Sequence, residues 1–169
     1  ATDLYEGGRE AVRQYINAAK REEVILTSGT TASINLVANT YGEHFLCEGD
    51  AVLVSESEHH SNIVPWQMLC ERKGAELRVL PVDENGAWRM DLLPGLLDER
   101  VKIIAAAHIS NVLGLVNPVE ELIRRGHEAG SVVLIDGAQG IVHQRVDVKA
   151  LDCDFYVFSG HKIYAATGI

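Results

Sequence analysis

Cysteine and proline are scarce in this sequence, and neither is clustered. Its 169 residues include four prolines and three cysteines, which are Cys47, Cys70 and Cys153. An odd number of widely spaced cysteines indicates neither a disulfide framework nor a metal cluster, and it is typical of a reducing compartment. We therefore expect a cytoplasmic protein.

Long apolar runs and an excess of basic residues are also missing. No apolar stretch is long enough to cross a bilayer, and the chain opens in a polar, helix-like segment rather than in a signal peptide. The formal net charge is −9, from 15 basic and 24 acidic residues. This balance argues against nucleic acid or a membrane as a partner, although it leaves room for a local basic phosphate pocket.

The glycine motifs that bind nucleotides are absent as well. Gly29-Thr30-Thr31 is neither a Walker loop nor a GxGxxG fingerprint, which counts against ATP and dinucleotides. It stands directly before a predicted helix, where backbone N–H groups and two hydroxyls suit an anion such as phosphate. A plain N-cap with a tight turn explains the same residues. Both interpretations stay open on the residues alone.

Short apolar runs alternate with helical stripes along the whole chain, within an ordinary composition of 47% hydrophobic and 23% charged residues. The pattern predicts a single domain of the α/β class with a three-layer, mainly parallel, doubly wound sheet. The predicted strands are 24–27, 51–54, 77–81, 101–107, 132–135 and 153–158. The predicted helices are 3–20, a segment from about 31 to 45, 62–73, 91–98 and one running from Pro118 to Gly130.

Polar clusters follow most of the predicted strands. In a doubly wound sheet, ligands bind outside the carboxyl ends of the strands, so these clusters are expected to meet at one rim. The clusters are residues 28–31, 58–62, 108–111, 136–140 and 159–162. Their convergence predicts a binding site at that rim.

Two charged residues come directly after apolar strands. Lys162 follows the run at 155–158, and lysine is the residue type that forms Schiff bases, although most lysines simply lie in solvent. Asp136 ends a buried-type strand, where an unpaired carboxylate is costly. It is either a helix cap or a fixed negative charge facing a cationic ring nitrogen. Gln139 has the reach to contact the same ligand, and Ala138 leaves room for a flat ring.

The histidines admit several interpretations. His59 and His60 follow a predicted strand end, but no third ligand has a suitable spacing, so we expect no metal site. Stacking on an aromatic ring or proton transfer suits one of them better, and a plain loop role suits both. Asn111 and His108 are either hydrogen-bond donors to a ligand or satisfied strand-end residues.

Together these segments resemble the class V aminotransferase family, whose members are fold-type I enzymes dependent on pyridoxal 5′-phosphate. The resemblance is strongest to the cysteine desulfurase and selenocysteine lyase branch, of the Suf/Csd type, because of the His-His-Ser-Asn-Ile-Val-Pro-Trp segment at 59–66. It is carried by residues 28–35, 58–66, 110–114, 136–140 and 158–162, and it extends over essentially the whole chain.

The resemblance implies a role for each candidate residue. Lys162 would form the internal Schiff base with the cofactor and move the proton at the substrate Cα. Asp136 would pair with the pyridine nitrogen, Gln139 with the phenolic oxygen, and His59 would stack on the ring and assist proton transfer. The remaining predicted contacts to the phosphate, the ring and the substrate carboxylate are Thr30, Thr31, Asn111, Ala138, Ser159 and His161.

The implied reaction removes sulfur from L-cysteine, or selenium from selenocysteine, and leaves alanine. Members of the family work as homodimers. The resemblance also suggests a sulfur-acceptor protein as a partner and iron–sulfur cluster assembly as the biological context. We expect residues 1–169 to be an incomplete large domain, without an N-terminal segment, the C-terminal small domain, the nucleophilic cysteine and the carboxylate-binding arginine. Such a fragment would be inactive alone. Two alternatives are another class V transaminase or lyase, and a non-catalytic α/β module that binds an anion.

The resemblance also predicts a defect in the sheet. In the family a strand that begins near Gly168 inserts antiparallel to its neighbours. Without it, the predicted strand at 24–27 would lose a neighbour, and we expect a weakened or gapped sheet on that side.

Overall fold

The structure is a computed structural model that describes residues 2–166 and 168. Five β-strands alternate with α-helices along these residues. The strands are β1 (Ala51–Ser55), β2 (Glu76–Leu80), β3 (Val101–Ala107), β4 (Val132–Asp136) and β5 (Phe155–Val157). The helices are α1 (Thr2–Tyr15), α2 (Thr30–Val37), α3 (Glu43–Phe45), α4 (Val64–Lys73), α5 (Leu93–Leu96), α6 (Val119–Glu128), α7 (Gly140–His143) and α8 (Val148–Leu151).

The five strands form one sheet in the order β2-β1-β3-β4-β5, and every pairing is parallel. The chain moves from β1 outward to β2 and then crosses back to the opposite side of β1 to form β3. This reversal is a topological switch point, and a crevice opens there at the carboxyl ends of the strands. The predicted parallel α/β sheet is therefore confirmed.

Alternate residues of the strands face opposite helical layers. On one face, Val52 and Val54 belong to a buried cluster with Ile34 of α2 and Trp66 of α4. On the other face, Ala51 and Leu53 belong to a second cluster with residues of α5 and α6, including Leu93, Val119 and Leu122. Because both faces are covered, the strands read as continuous apolar runs in the sequence. The three-layer prediction is confirmed.

The predicted strand at 24–27 is wrong. Among the described residues this segment pairs with no strand, and a side chain takes one of its backbone acceptors, since Arg9 Nε donates to the Val24 carbonyl at 2.9 Å. An apolar cavity of about 160 Å³ separates the segment from β5, lined in part by Ile25, Leu26 and Phe158. The five strands form one continuous paired sheet, so the expected gapped sheet is not observed. The segment 24–27 lies outside that sheet, beyond β5.

Several other boundaries differ from the prediction. Helix α1 ends at Tyr15, five residues early, and contains no buried residue. The predicted helix from about 31 to 45 is broken into α2, a π-helical stretch at Ala38–Gly42, and α3. Strand β5 is limited to Phe155–Val157. Within residues 2–166 and 168, no helix is long and apolar enough to cross a membrane.

Candidate active site

A cavity of about 330 Å³ lies at the carboxyl ends of the strands, beside the switch point between β1 and β3. All five polar clusters predicted from the sequence contribute to its wall. Every predicted site residue lines it, and so do three that were not predicted, Ser61, Ala107 and Ile109. The predicted residues are Thr30, Thr31, His59, Asn111, Asp136, Ala138, Gln139, Ser159, His161 and Lys162.

One end of the cavity is formed by the start of α2. Gly29 precedes this helix with φ of +113°, a backbone conformation that side chains other than glycine rarely adopt. The Ser159 hydroxyl accepts a hydrogen bond from the Thr30 amide at 2.8 Å and shares a second with Thr30 Oγ1 at 2.7 Å. A Cβ at position 29 would approach Ser159 Oγ to 3.0 Å. The close approach of Gly29 to Ser159 places amide and hydroxyl groups next to each other at a helix N-terminus. Such a group of donors is a suitable environment for an anion.

The opposite wall is the turn after β4. Asp136 is 6% exposed, and its Oδ1 accepts a hydrogen bond from the Ala138 amide at 2.9 Å. In the described part of the chain, no other hydrogen bond reaches this carboxylate. Burial raises the pKa of Asp136, while the hydrogen bond from the Ala138 amide and the charge of Lys162 oppose that rise. The carboxylate is therefore buried, close to the Lys162 amine, and has acceptor capacity left for a ligand.

The same turn packs against His108, Tyr156 and Gln144, of which only His108 was considered from the sequence. Tyr156 of β5 hydrogen-bonds to Nδ1 of His108 at 2.9 Å, and Gln144 contacts the same imidazole. A Cβ on Gly140 would lie 2.7 Å from both His108 Nδ1 and the Tyr156 hydroxyl. His108 is buried and does not line the cavity, and burial lowers its pKa. Of the two interpretations of His108, the structure supports the satisfied strand-end residue.

His59 stands at the edge of the cavity in a defined orientation. Its Nδ1 accepts a hydrogen bond from the Ser61 amide at 3.1 Å and contacts Ser61 Oγ at 2.8 Å. A backbone amide only donates, so Nδ1 of the neutral ring is the acceptor and the ring proton is on Nε2. This turn begins a short 3-10 helix at His60–Asn62. His60 is not part of the cavity wall.

Lys162 and His161 lie on a second short 3-10 helix, Gly160–Ile163, directly after β5. Both side chains line the cavity, and Lys162 is half-buried. The lysine charge lies near enough to Asp136 to act on its carboxylate. Amine and carboxylate thus face the same cavity from neighbouring strands.

The cysteines are elsewhere. None of the three, all within the described residues, lines the cavity. Burial raises the pKa of Cys70 to about 11 and that of Cys153 to about 12. Because the thiolate is the nucleophile, these two thiols are poor nucleophiles at neutral pH.

Known proteins are similar to this chain in sequence and in fold. The family model described as Aminotransferase class-V matches residues 1–169. The chain belongs to the class V aminotransferase family. A cysteine desulfurase from Pectobacterium atrosepticum is 57% identical over 169 residues, and one from Cronobacter sakazakii is 54% identical over the same length. The match covers 100% of this chain and 42% of each of those relatives. The chain thus spans less than half the length of the curated relatives it matches.

Solved structures agree with the family. The crystal structure of the cysteine desulfurase CsdA from Escherichia coli aligns with a TM-score of 0.94 and 46% identity, over 99% of this chain and 42% of that chain. The resemblance predicted from the motifs is therefore confirmed, including its cysteine desulfurase branch.

The residues lining the cavity fit pyridoxal 5′-phosphate. The glycine-constrained start of α2 suits its phosphate, and the buried Asp136 carboxylate suits a ring N–H. Lys162 suits its aldehyde, because an amine is the group that condenses with a carbonyl. The cavity thus offers a matching group for each of the three reactive parts of that cofactor.

Proposed function

We propose that the whole protein is a pyridoxal-phosphate-dependent cysteine desulfurase. It removes sulfur from L-cysteine, or selenium from selenocysteine, and leaves alanine. One observation carries the proposal: Lys162, Asp136 and the start of α2 face a single cavity at the switch point of the sheet. The cysteine desulfurases to which the chain is similar support the same reaction.

The cofactor, when bound, supplies an electron sink that stabilises negative charge at the substrate Cα. The residues of this chain hold it and handle protons. Asp136 would accept a hydrogen bond from the ring nitrogen and keep it protonated, and Gln139 would donate to the phenolic oxygen. His59 would stack on the ring, and Ala138 would leave space for it.

The two hydroxyls of Thr30 and Thr31 would bind the phosphate together with Ser159 and His161. Asn111 would contact the ring and the substrate carboxylate. Lys162 would hold the cofactor covalently at rest, and its Nζ would move the proton at the substrate Cα. In the overall reaction an acceptor thiolate forms an S–S bond with the sulfur of L-cysteine and becomes a persulfide. The Cβ–S bond breaks, its electron pair stays on Cβ, and Cβ takes up a proton to give alanine.

Further features of the whole protein belong to the same proposal. We place residues 1–169 in the cofactor-binding large domain of a longer chain, and the 42% coverage of the relatives supports this. A homodimer, a sulfur-acceptor protein and a role in iron–sulfur cluster assembly rest on the family resemblance. A cytoplasmic location is supported by the free state of Cys47, Cys70 and Cys153.

The test is product analysis with the full-length protein. We expect alanine and sulfide from L-cysteine in the presence of the cofactor and a thiol reductant, and neither product from the Lys162→Ala variant. Cofactor binding without alanine formation in the wild type would favour another class V reaction. Cofactor that the wild type binds without a covalent bond to Lys162 would favour the non-catalytic anion-binding module.

A further inference from the structure

Glu58 is a buried acid that lies outside the cavity. It follows β1 and is 8% exposed. Its Oε1 accepts hydrogen bonds from Ser55 Oγ and from the Ala107 amide, the latter at 2.8 Å. Its Oε2 accepts from Asn62 Nδ2 at 2.7 Å. One carboxylate therefore joins the end of β1, the 3-10 helix at 60–62 and the end of β3.

The elements that Glu58 joins are those that place His59. His59 is the next residue in the chain, and Ser61, which fixes its imidazole, lies inside the span closed by Glu58 and Asn62. Ala107, at the other end of the network, lines the same cavity. A change in the Glu58 contacts would shift His59 relative to the wall formed by β3.

The network requires acceptors on both oxygens of Glu58. The Trp66 indole, which only donates, bonds to Asn62 Oδ1 at 3.0 Å, so the Asn62 amide must turn its Nδ2 toward Glu58. The Ala107 amide likewise only donates. An amide introduced at position 58 would keep one oxygen for Ala107 but set an NH₂ group against the NH₂ of Asn62. Turning the Asn62 amide over would relieve that contact, but it would set the Asn62 NH₂ group against the N–H of Trp66.

We propose that Glu58 is a positioning residue that holds His59 in place over the cofactor cavity through this network of obligatory acceptors. The inference rests on the proposed function and adds a residue with no direct contact to the cavity. Burial and the charge of Asp136 raise the pKa of Glu58 to about 7, against the lowering effect of its three hydrogen bonds. A proton on Oε1 that is donated to Ser55 Oγ leaves both carboxyl oxygens able to accept from Ala107 and Asn62, so the network is compatible with either charge state.

The test compares Glu58→Gln with the double variant Glu58→Gln/Asn62→Asp in the full-length protein. The double variant restores the pattern, because an aspartate at position 62 accepts from Trp66 with one oxygen and from the new amide with the other. Glu84→Gln, in an exposed turn, is the matched control. Two quantities are measured: kcat and KM for L-cysteine, and amide hydrogen exchange of the segment 59–63 in the cofactor-free protein.

We expect the single variant to lower kcat about tenfold by misplacing His59, with a smaller change in KM, and to speed exchange in the segment. The double variant should recover both quantities, and Glu84→Gln should match the wild type. Normal exchange in Glu58→Gln, or no recovery in the double variant, would overturn the proposal. So would altered exchange with an unchanged kcat. If the wild type itself lacks desulfurase activity, the proposed function fails, while the exchange data still decide whether Glu58 holds the loop.

Discussion

The turn after β4 and the loop after β1 each bury a carboxylate, but the two carboxylates differ in the number of hydrogen bonds that they accept. Asp136, in the first, receives one hydrogen bond, from the Ala138 amide, and lines the cavity. Glu58, in the second, receives three and is not part of the cavity wall. Burial raises the pKa of both groups.

The number of donors distinguishes a carboxylate that can bind a ligand, Asp136, from one that stabilises the surrounding structure, Glu58. A buried carboxylate with few donors is unfavourable in the empty protein and becomes favourable once a charged partner binds. A carboxylate whose oxygens already accept hydrogen bonds from the protein has no acceptor capacity left for a ligand. Its removal lowers the stability of the protein, because the donors that it leaves behind are buried and unpaired. Substitutions in the two regions should therefore have different consequences.

The largest expected effect is at Asp136. Asp136→Asn keeps the bond from the Ala138 amide but removes the charge facing the ring nitrogen. We expect kcat/KM for L-cysteine to fall about 100-fold or more, because a charge aimed at the reacting system is lost. The free energy of unfolding of the cofactor-free protein should stay equal or rise by about 1 kcal/mol, since a buried charge is removed. Steady-state kinetics and urea titration measure the two quantities.

Asp152→Asn is the matched control for that substitution. Asp152 is exposed in the left-handed region, which asparagine tolerates, so activity and stability should both stay near wild type. A cofactor-free Asp136→Asn protein that is strongly destabilised would contradict the comparison, because it would make Asp136 a scaffold residue like Glu58.

The next effect concerns the packed side of the Asp136 turn. In Gly140→Ala the new methyl group would meet His108 Nδ1 and the Tyr156 hydroxyl at 2.7 Å. We expect a loss of about 2 kcal/mol in the free energy of unfolding, since neither the buried ring nor the strand beneath it can move away without cost. Gly95→Ala in α5, where a Cβ meets nothing within 4 Å, is the control and should not destabilise the protein. Equal stability of the two variants, measured by urea titration, would argue against this close packing.

The smallest effect, taken per pH unit, is the pH dependence contributed by Glu58. Its pKa is about 7 in the folded protein, against an ordinary value of 4.5. The folded state then binds more protons than the unfolded state between those values, so its stability falls as pH rises through this window. The slope is less than about 1.4 kcal/mol per pH unit, the limit for one proton.

That contribution is obtained as a difference between two proteins. The wild type minus Glu58→Gln difference in free energy of unfolding should decline from about pH 4.5 to about pH 7 and then level off. Asp136 is the titratable neighbour acting on Glu58, and it is present in both proteins. A difference that rises with pH over this window would show that Glu58 is stabilised as the charged form.

Strand β3 and the cavity wall illustrate what the sequence predicts well. The strand at 101–107 was predicted with its observed bounds, because a run buried on both faces leaves a local apolar signal. The five polar clusters that supply the cavity wall were predicted because parallel strands must bring their carboxyl ends to one edge.

The errors and omissions depend on distant neighbours. The segment 24–27 has the composition of a strand, but a strand needs a partner, and among the described residues none lies beside it. The Glu58 network joins Ala107 to Asn62 and Trp66, and Tyr156 meets His108 across 48 positions of the chain. Such contacts carry no local periodicity.

The most direct test of the central claim is borohydride reduction of the full-length protein after incubation with pyridoxal 5′-phosphate, followed by peptide mass spectrometry. The account predicts that the reduced cofactor is found on the peptide containing Lys162, and that Lys162→Ala carries none there. Cofactor that stays removable after reduction, or that is fixed to a different lysine, would contradict it.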